Sequence, residues 1–349
     1  MSLPEKSSTR VGVLSMGDMG AGIARLLLAR GFTVVTNCQG RRRVSSTART
    51  KTKANQDTID RANAANVATV PSDLHLVQQC RVILSIVPPR DAHATAQRIA
   101  DALVGGTASE NESVFFVDLN AIAPSSARAM EGMFDKARVP VRFIDGCILG
   151  TPPRRRDDAA GVVVTDSLAD TDTDAEWRRP RIPVSGPHCL SVLPDGHRLA
   201  EVLNMRSISD QVGAASGLKM CFAAVSKGFT ALATQSFTTA RRLGVAEDLR
   251  GELGRILPNY LATAERSVPD MPPKAYRWVR EMEEVAETMA EEGGWTRELF
   301  SGVAGVYKSV AENDVLGKEK MGKRRRGNTI EDVASLMGEE LELKKKKME

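Results

Sequence analysis

Three groups of residues have types and spacing that could do chemistry. The first is Ser15-Met16-Gly17-Asp18-Met19-Gly20, directly after the apolar run Val11-Gly12-Val13-Leu14. Glycines spaced this way permit a tight turn and a close backbone approach. A helix that starts there offers N–H groups and the positive end of its dipole to a pyrophosphate. Ser15 stands where a GxGxxG pattern has its first glycine, so the motif is degenerate, and a merely tight β–α turn is the plainer reading. The second group is Asn37, followed by Gln39, Gly40, Arg41, Arg42, Arg43 and Ser45. Dinucleotide sites that take NAD carry an acid about 20 residues after the glycine turn, for the ribose 2′-hydroxyl. A guanidinium clamps a 2′-phosphate instead. The expected cofactor is therefore NADP(H), with NAD(H) also possible; a solvated basic loop is the plainer alternative. The third is Lys219, between Leu218 and Met220 in an otherwise apolar stretch. Such a lysine can snorkel at a helix edge. If desolvated, it can exchange a proton near neutral pH. The residues alone leave both roles open.

The elements around these groups alternate. Arg10–Leu14 reads as a strand, 21–30 as a helix ended by Gly31, and Phe32–Thr36 as the next strand, which makes a βαβ unit. Short apolar runs at 67–70, 82–87, 114–117 and 141–144 continue the pattern, with helices between them and Ser72 or Asp73 placed to cap one. Continuous apolar strands separated by helices predict an α/β fold, a Rossmann-type doubly wound parallel sheet. From Gly213 onward the chain reads as almost wholly helical, with one long segment over 214–242. Trp278, Met282, Val285, Ala286 and Met289 follow helical spacing, as core residues do. The expected organisation is a dinucleotide-binding domain over 1–212, with a polar surface insertion at 154–181, then an all-α domain over 213–316. Residues 317–349 are expected to form a basic, flexible tail, with one helix near 330–343.

Composition narrows the function classes. The 349 residues carry a formal charge of +4 and are 42% hydrophobic, which suits a large core and argues against nucleic acid or an anionic membrane as partner. The ten basic and seven acidic side chains of 317–349 place most of that charge in the tail. No apolar run reaches the roughly 18–20 residues that span a bilayer. The polar start, residues 1–10, lacks the apolar core of a secretory signal. Five scattered cysteines (Cys38, Cys80, Cys147, Cys189 and Cys221), with no CxxC pair, read as reduced and mostly buried thiols. A cytoplasmic protein without structural metal is expected.

Further motifs, in this order, resemble the β-hydroxyacid dehydrogenase superfamily, which includes the 3-hydroxyisobutyrate and 6-phosphogluconate dehydrogenases. The glycine-rich start at 11–20 is similar to that family's, as are Val87-Pro88, Asp118-Leu119-Asn120-Ala121-Ile122-Ala123-Pro124 and Asp145-Gly146-Cys147-Ile148-Leu149-Gly150-Thr151-Pro152-Pro153. Gly213-Ala214-Ala215-Ser216-Gly217-Leu218-Lys219-Met220 resembles its catalytic-lysine helix. With Ser226-Lys227-Gly228 and the segment 278–284, it resembles the subgroup with a 6-phosphogluconate dehydrogenase-like C-terminal helical domain. The resemblance covers roughly residues 10–312.

It implies an NADP(H)-dependent oxidoreductase acting on the hydroxyl or carbonyl of a small acidic molecule, with Lys219 as general acid/base. It places Val87, Pro88 and Asn120 on the cofactor side, and Gly146, Gly150 and Lys227 near the substrate. It also implies a homodimer. The chain departs from the family at Ala223, where an Asn is usual, and at Ala121, Ala123, Leu149 and Phe222. Those departures keep two alternatives in view: an imine reductase-like enzyme, and an NADP-binding protein without turnover.

Overall fold

Residues 7–38, 56, 58–104, 113–157, 172–319 and 324–348 are described by a computed structural model. They separate into two compact units, 1–219 and 220–349. The division falls inside one helix, seven residues beyond the boundary expected at 212/213.

In the first unit the strands are β1 (Arg10–Leu14), β2 (Thr33–Asn37), β3 (Ala68–Val70), β4 (Val82–Ser85), β5 (Val114–Asp118), β6 (Val141–Gly146), β9 (Ile182–Ser185) and β10 (Met205–Ser209). They form one sheet in the order β10-β9-β6-β5-β4-β1-β2-β3. Every pairing is parallel except β6 with β9. The doubly wound α/β expectation thus stands, with one antiparallel join. β9 and β10 are absent from the sequence reading. β10 is exposed along most of its length, so its residues lack the apolar run by which the central strands declare themselves.

The central strands are buried on both faces because the helices cover both. Between them lie α1 (Asp18–Ala29), α2 (58–64), α3 (Asp73–Gln79), α4 (Ala92–Val104), α5 (Pro124–Ala137) and α6 (Gly196–Val202). Successive side chains point to opposite faces of a pleated strand. Val11, Val13, Val82, Leu84, Phe115 and Val117 therefore pack with Ile23, Ala24 and Leu27 of α1. Ile83, Val114 and Phe116 pack on the other side with Ile99 of α4 and Met130 and Phe134 of α5. The rings of Phe116, Phe134 and Phe143 lie 5.2–6.2 Å apart.

The stretch 154–181, expected as a polar surface insertion, is tied down at both ends. Arg154–Arg155 (β7) pairs antiparallel with Trp177–Arg178 (β8), and Trp177 is buried. Arg30 forks Asp174 at 2.9 and 2.8 Å, and Arg179 holds Asp172 at 2.7 Å. Leu149 and Arg181 bridge β6's exit to the start of β9. Residues 158–171 lie outside the described residues.

The long helix α7 (Ala214–Leu243) begins in the first unit and continues into the second. Thr230, Thr234 and Thr238 return their hydroxyls to carbonyls four residues back, which lets polar side chains line a buried face. Then come α8 (Ala246–Ile256), α9 (Pro258–Asp270), α10 (Ala275–Glu291), α11 (Glu298–Glu312) and α12 (Ile330–Met348). Met282, Val285 and Ala286 are buried as their spacing predicts.

The helix expected near 330–343, in the span expected as a flexible basic tail, is present as α12. Ile330, Val333, Ala334, Leu336 and Met337 are buried, a helical stripe among the charges. Asn313 donates to the Leu336 carbonyl at 3.3 Å, Arg326 pairs with Asp332 at 2.6 Å, and Arg250 pairs with Glu331. Among the described residues, no helix is long and apolar enough to cross a membrane.

Candidate functional site

The turn from β1 to α1 carries the strongest local constraint. Ser15 has φ 90°, a conformation that glycine adopts freely and serine rarely does. Gly20 packs against that same residue: a Cβ there would lie 1.9 Å from the Ser15 carbonyl oxygen. Gly17 is the N-cap of α1 and contributes no side-chain cap. The first N–H groups of α1 thus open at the carboxyl end of β1, with Met16 buried, Asp18 exposed, and Gly17 and Met19 partly exposed. This cradle fits a dinucleotide pyrophosphate. Arg61, on α2, donates to the Met16 carbonyl at 2.6 Å and pins the turn from outside. Nothing in the sequence marks Arg61, since its partner is a main-chain atom 45 residues away.

The carboxyl tip of β2 holds a second constraint. Asn37 is buried and donates from Nδ2 to Asp73 Oδ1 at 2.7 Å. Asp73 opens α3, where Ser72 is the N-cap and accepts from the His75 N–H, as expected. Arg98 on α4 forks Asp73, Nε and Nη2 each at 2.8 Å. An acid missing from β2 itself is therefore supplied beside its tip from α3. Arg41 and Arg42, expected to meet the cofactor, lie outside the described residues.

The carboxyl ends of β4, β5 and β6 form a third, continuous polar group. Asn120 Oδ1 accepts the Val87 N–H at 2.6 Å, just before Pro88. Its Nδ2 donates to Ser85 Oγ at 3.0 Å and to Asp118. Asp118 is fully buried, and its carboxyl is pushed up to about 8 by burial and then by the neighbouring Asp145; the N–H groups of Asn120 oppose the shift. Asp145, its register partner on β6, takes a different set of donors. Its Oδ2 accepts Ser185 Oγ at 2.8 Å and the N–H groups of Gly213, Ala215 and Ser216 at 2.9–3.1 Å. Its Oδ1 accepts Ser216 Oγ at 2.5 Å. Asp145 thus caps α7 from a strand that ends 68 residues earlier. Gly213 has φ 102° and brings the chain into that cap.

Lys219 follows one turn later. Its Nζ donates to the Ile148 carbonyl at 2.8 Å. Lys219 and the loop after β6 therefore meet, as do Gly146 and Asp118: a Cβ on Gly146 would lie 3.2 Å from the Asp118 carbonyl oxygen. Cys147, buried in that loop, has its thiol pushed up to about 12 by burial, with Lys219 opposing. Gly150 is exposed at the loop's far end.

Lys227 belongs to the second unit. Its ammonium pairs with Glu281 and lies 4.9 Å from the Trp278 ring centroid; its carbonyl accepts from Tyr307. In the same unit Ala223 is buried and Phe222 is exposed.

Residues 10–107 match the family model described as NADP oxidoreductase coenzyme F420-dependent, and residues 240–310 match a domain of unknown function, DUF1932. No curated protein matches the sequence. Solved structures do match over nearly the whole chain. One is the Mycobacterium tuberculosis 3-hydroxyisobutyrate dehydrogenase solved with L-serine: 16% identity, 94% of this chain and 98% of that one, TM-score 0.58. Another is a 3-hydroxyisobutyrate dehydrogenase from Salmonella typhimurium: 17% identity, 94% and 100% covered, TM-score 0.55. A third is a conserved protein of unknown function described as structurally similar to 3-hydroxyacid dehydrogenases: 23% identity, 89% and 100% covered, TM-score 0.56. The chain therefore has an NADP-oxidoreductase-type amino-terminal segment, a DUF1932 segment towards its carboxyl end, and the fold of the 3-hydroxyisobutyrate dehydrogenase group.

Proposed function

We propose that the protein is an NADP(H)-dependent oxidoreductase that interconverts a hydroxyl and a carbonyl on a small acidic organic molecule. The observation that carries this reading is the fixed ammonium of Lys219, 2.8 Å from the Ile148 carbonyl, on a chain whose β1–α1 turn forms a dinucleotide cradle. Residues 15–20 would hold the pyrophosphate, Arg41 and Arg42 the 2′-phosphate, and Val87, Pro88 and Asn120 the nicotinamide side. The nicotinamide supplies or accepts the hydride when bound. As a carbonyl is reduced, the Lys219 ammonium gives a proton from Nζ to the new hydroxyl oxygen; in the reverse direction the neutral amine, one N–H still on the Ile148 carbonyl, takes the hydroxyl proton at its lone pair. Gly146 and Gly150 leave main chain open to a carboxylate.

Purified protein is to be mixed with each nicotinamide cofactor and a panel of hydroxy acids, oxo acids and imines, following nicotinamide absorbance. Turnover of a hydroxy acid with NADP(H), abolished by Lys219→Ala while NADPH binding persists, is the expected result. Unchanged turnover in Lys219→Ala removes Lys219 from the mechanism.

Ala223 favours a second reading. A buried alanine stands where the resembling family has an amide, so the substrate side has lost a polar partner. NADPH binding without turnover of any substrate class marks a nucleotide-binding protein. Turnover of imines alone marks an imine reductase-like enzyme. A homodimer is part of the proposal; on α7, Val225 and Leu232 are exposed apolar residues that a second copy would cover. A cytoplasmic location is part of the proposal: among the described residues no cysteine is in a disulfide, with Cys38, Cys80 and Cys147 buried and Cys189 and Cys221 exposed.

A further inference from the structure

The tip of β2 is the position that reads the adenosine ribose in a dinucleotide-binding βαβ unit. An acid there accepts the 2′-hydroxyl of NAD and repels the 2′-phosphate of NADP. Here the tip residue is Asn37, and an acid, Asp73, lies one hydrogen bond away. Left to itself, that carboxylate would place a full negative charge beside the selecting position. Asn37 would also be turned so that its Nδ2 faces Asp73.

Asp73 is not left to itself. Arg98 approaches from α4 and engages both carboxylate oxygens in a planar fork. The pair is partly withdrawn from solvent: 16% of the Asp73 side chain and 30% of the Arg98 side chain are exposed. A bidentate guanidinium pair fixes geometry as well as charge. With Oδ1 shared between Asn37 and Arg98, and Oδ2 taken by Arg98, the carboxylate has its strongest acceptor directions occupied.

We propose that Arg98 is a specificity-determining residue for the nucleotide. By forking Asp73 it withdraws that carboxylate from the ribose position, and so makes the tip of β2 tolerant of a 2′-phosphate. Asp73 is the latent NAD-type acid of the site, and Arg98 is what silences it. The inference rests on the nucleotide-binding reading above, and it concerns cofactor choice rather than chemistry.

The test is a binding cycle on the full chain. Dissociation constants for NADPH and NADH are measured calorimetrically for the wild type, Arg98→Gln, Asp73→Asn and the double variant. Arg98→Gln is expected to reduce the NADPH:NADH preference by about tenfold or more, chiefly by weakening NADPH. Adding Asp73→Asn is expected to restore the preference to within about threefold of the wild type, because the two sites act as one unit. Asp73→Asn alone is expected to keep or raise the preference for NADPH.

A folded Arg98→Gln protein with an unchanged ratio overturns the proposal. So does a loss that Asp73→Asn fails to restore, since Arg98 would then be touching the phosphate itself. If Arg98→Gln does not fold, Arg98→Lys retains the charge without the fork and is expected to lower the preference partially, with the same rescue. An unchanged ratio there also overturns it. If neither nucleotide binds the wild type, the nucleotide reading and this inference fall together. If both bind and the ratio ignores Arg98, this inference falls alone.

Discussion

Lys219 donates its ammonium to the carbonyl of Ile148, three residues past the Asp145 carboxylate that caps the helix carrying that lysine. The segment 145–148 therefore holds the lysine twice: once through the first turn of α7, and once at the tip of its side chain. Helical side chains lean toward the helix N-terminus. A cap at residues 213–216 and an anchored ammonium at residue 219 consequently belong to one rigid patch. Ser185 closes the cap from β9, donating to Asp145 and accepting from the Ala215 N–H at 3.0 Å.

Asp145→Ala should disorder this patch. It removes the oxygen that accepts the N–H groups of Gly213, Ala215 and Ser216. Loss of a helix cap costs about 0.5–2 kcal/mol, and a buried unsatisfied group about 1–3 kcal/mol. The variant is expected to unfold earlier in denaturant. With a hydroxy acid substrate, kcat should fall by as much as about 100-fold, since small misplacements of a catalytic group have that effect. NADPH affinity should change little. Comparing denaturation midpoints, kcat and the NADPH Kd in one preparation separates the cap from a general loss of structure.

Asp118 makes stability depend on pH in the direction opposite to most carboxylates. Its folded-state value is raised from 3.8 to about 8 by burial and by Asp145. The folded state therefore binds a proton that the unfolded chain has already released between about pH 4 and pH 8. The contribution is fully present below the unfolded value and is lost as pH rises through that window. Denaturant titrations of the wild type should show falling stability across it, against whatever other groups contribute. Asp118→Asn should flatten that slope. A slope equal to the wild type's would mean that Asp118 is ionised in the folded protein.

Gly20→Ala probes the cradle. The added Cβ would meet the Ser15 carbonyl oxygen, a main-chain atom with no freedom to rotate away. Either α1 or the turn must shift, and NADPH binding is expected to be lost or weakened by at least about 100-fold, while Gly132→Ala, where nothing lies within 4 Å, should bind normally. Isothermal titration of both variants checks this. Normal binding in Gly20→Ala would move the nucleotide away from this turn.

Much of the first unit was legible in the sequence because its signals are local. Continuous apolar strands, the glycine spacing at 15–20 and the Ser72 cap each report a short-range steric or hydrogen-bonding rule, and each is found where the residues predict it. The helical stripe at 282–286 is equally direct. The helix near 330–343 was legible as well, but the lysine and arginine runs around it hid the burial of its five apolar side chains.

What only the tertiary structure decided are contacts between residues far apart in the chain. Asp73 reaches Asn37 across 36 positions, and Arg61 reaches Met16 across 45. Asp145 caps a helix that starts about 70 positions later. No periodicity encodes such pairs, because a buried carboxylate is acceptable wherever the fold happens to bring donors to it. The sequence by itself determined the βαβ framework, the glycine turn and the lysine. Folding decided which acid neighbours Asn37, which arginine pairs with that acid, and which carboxylate holds the lysine's helix in place.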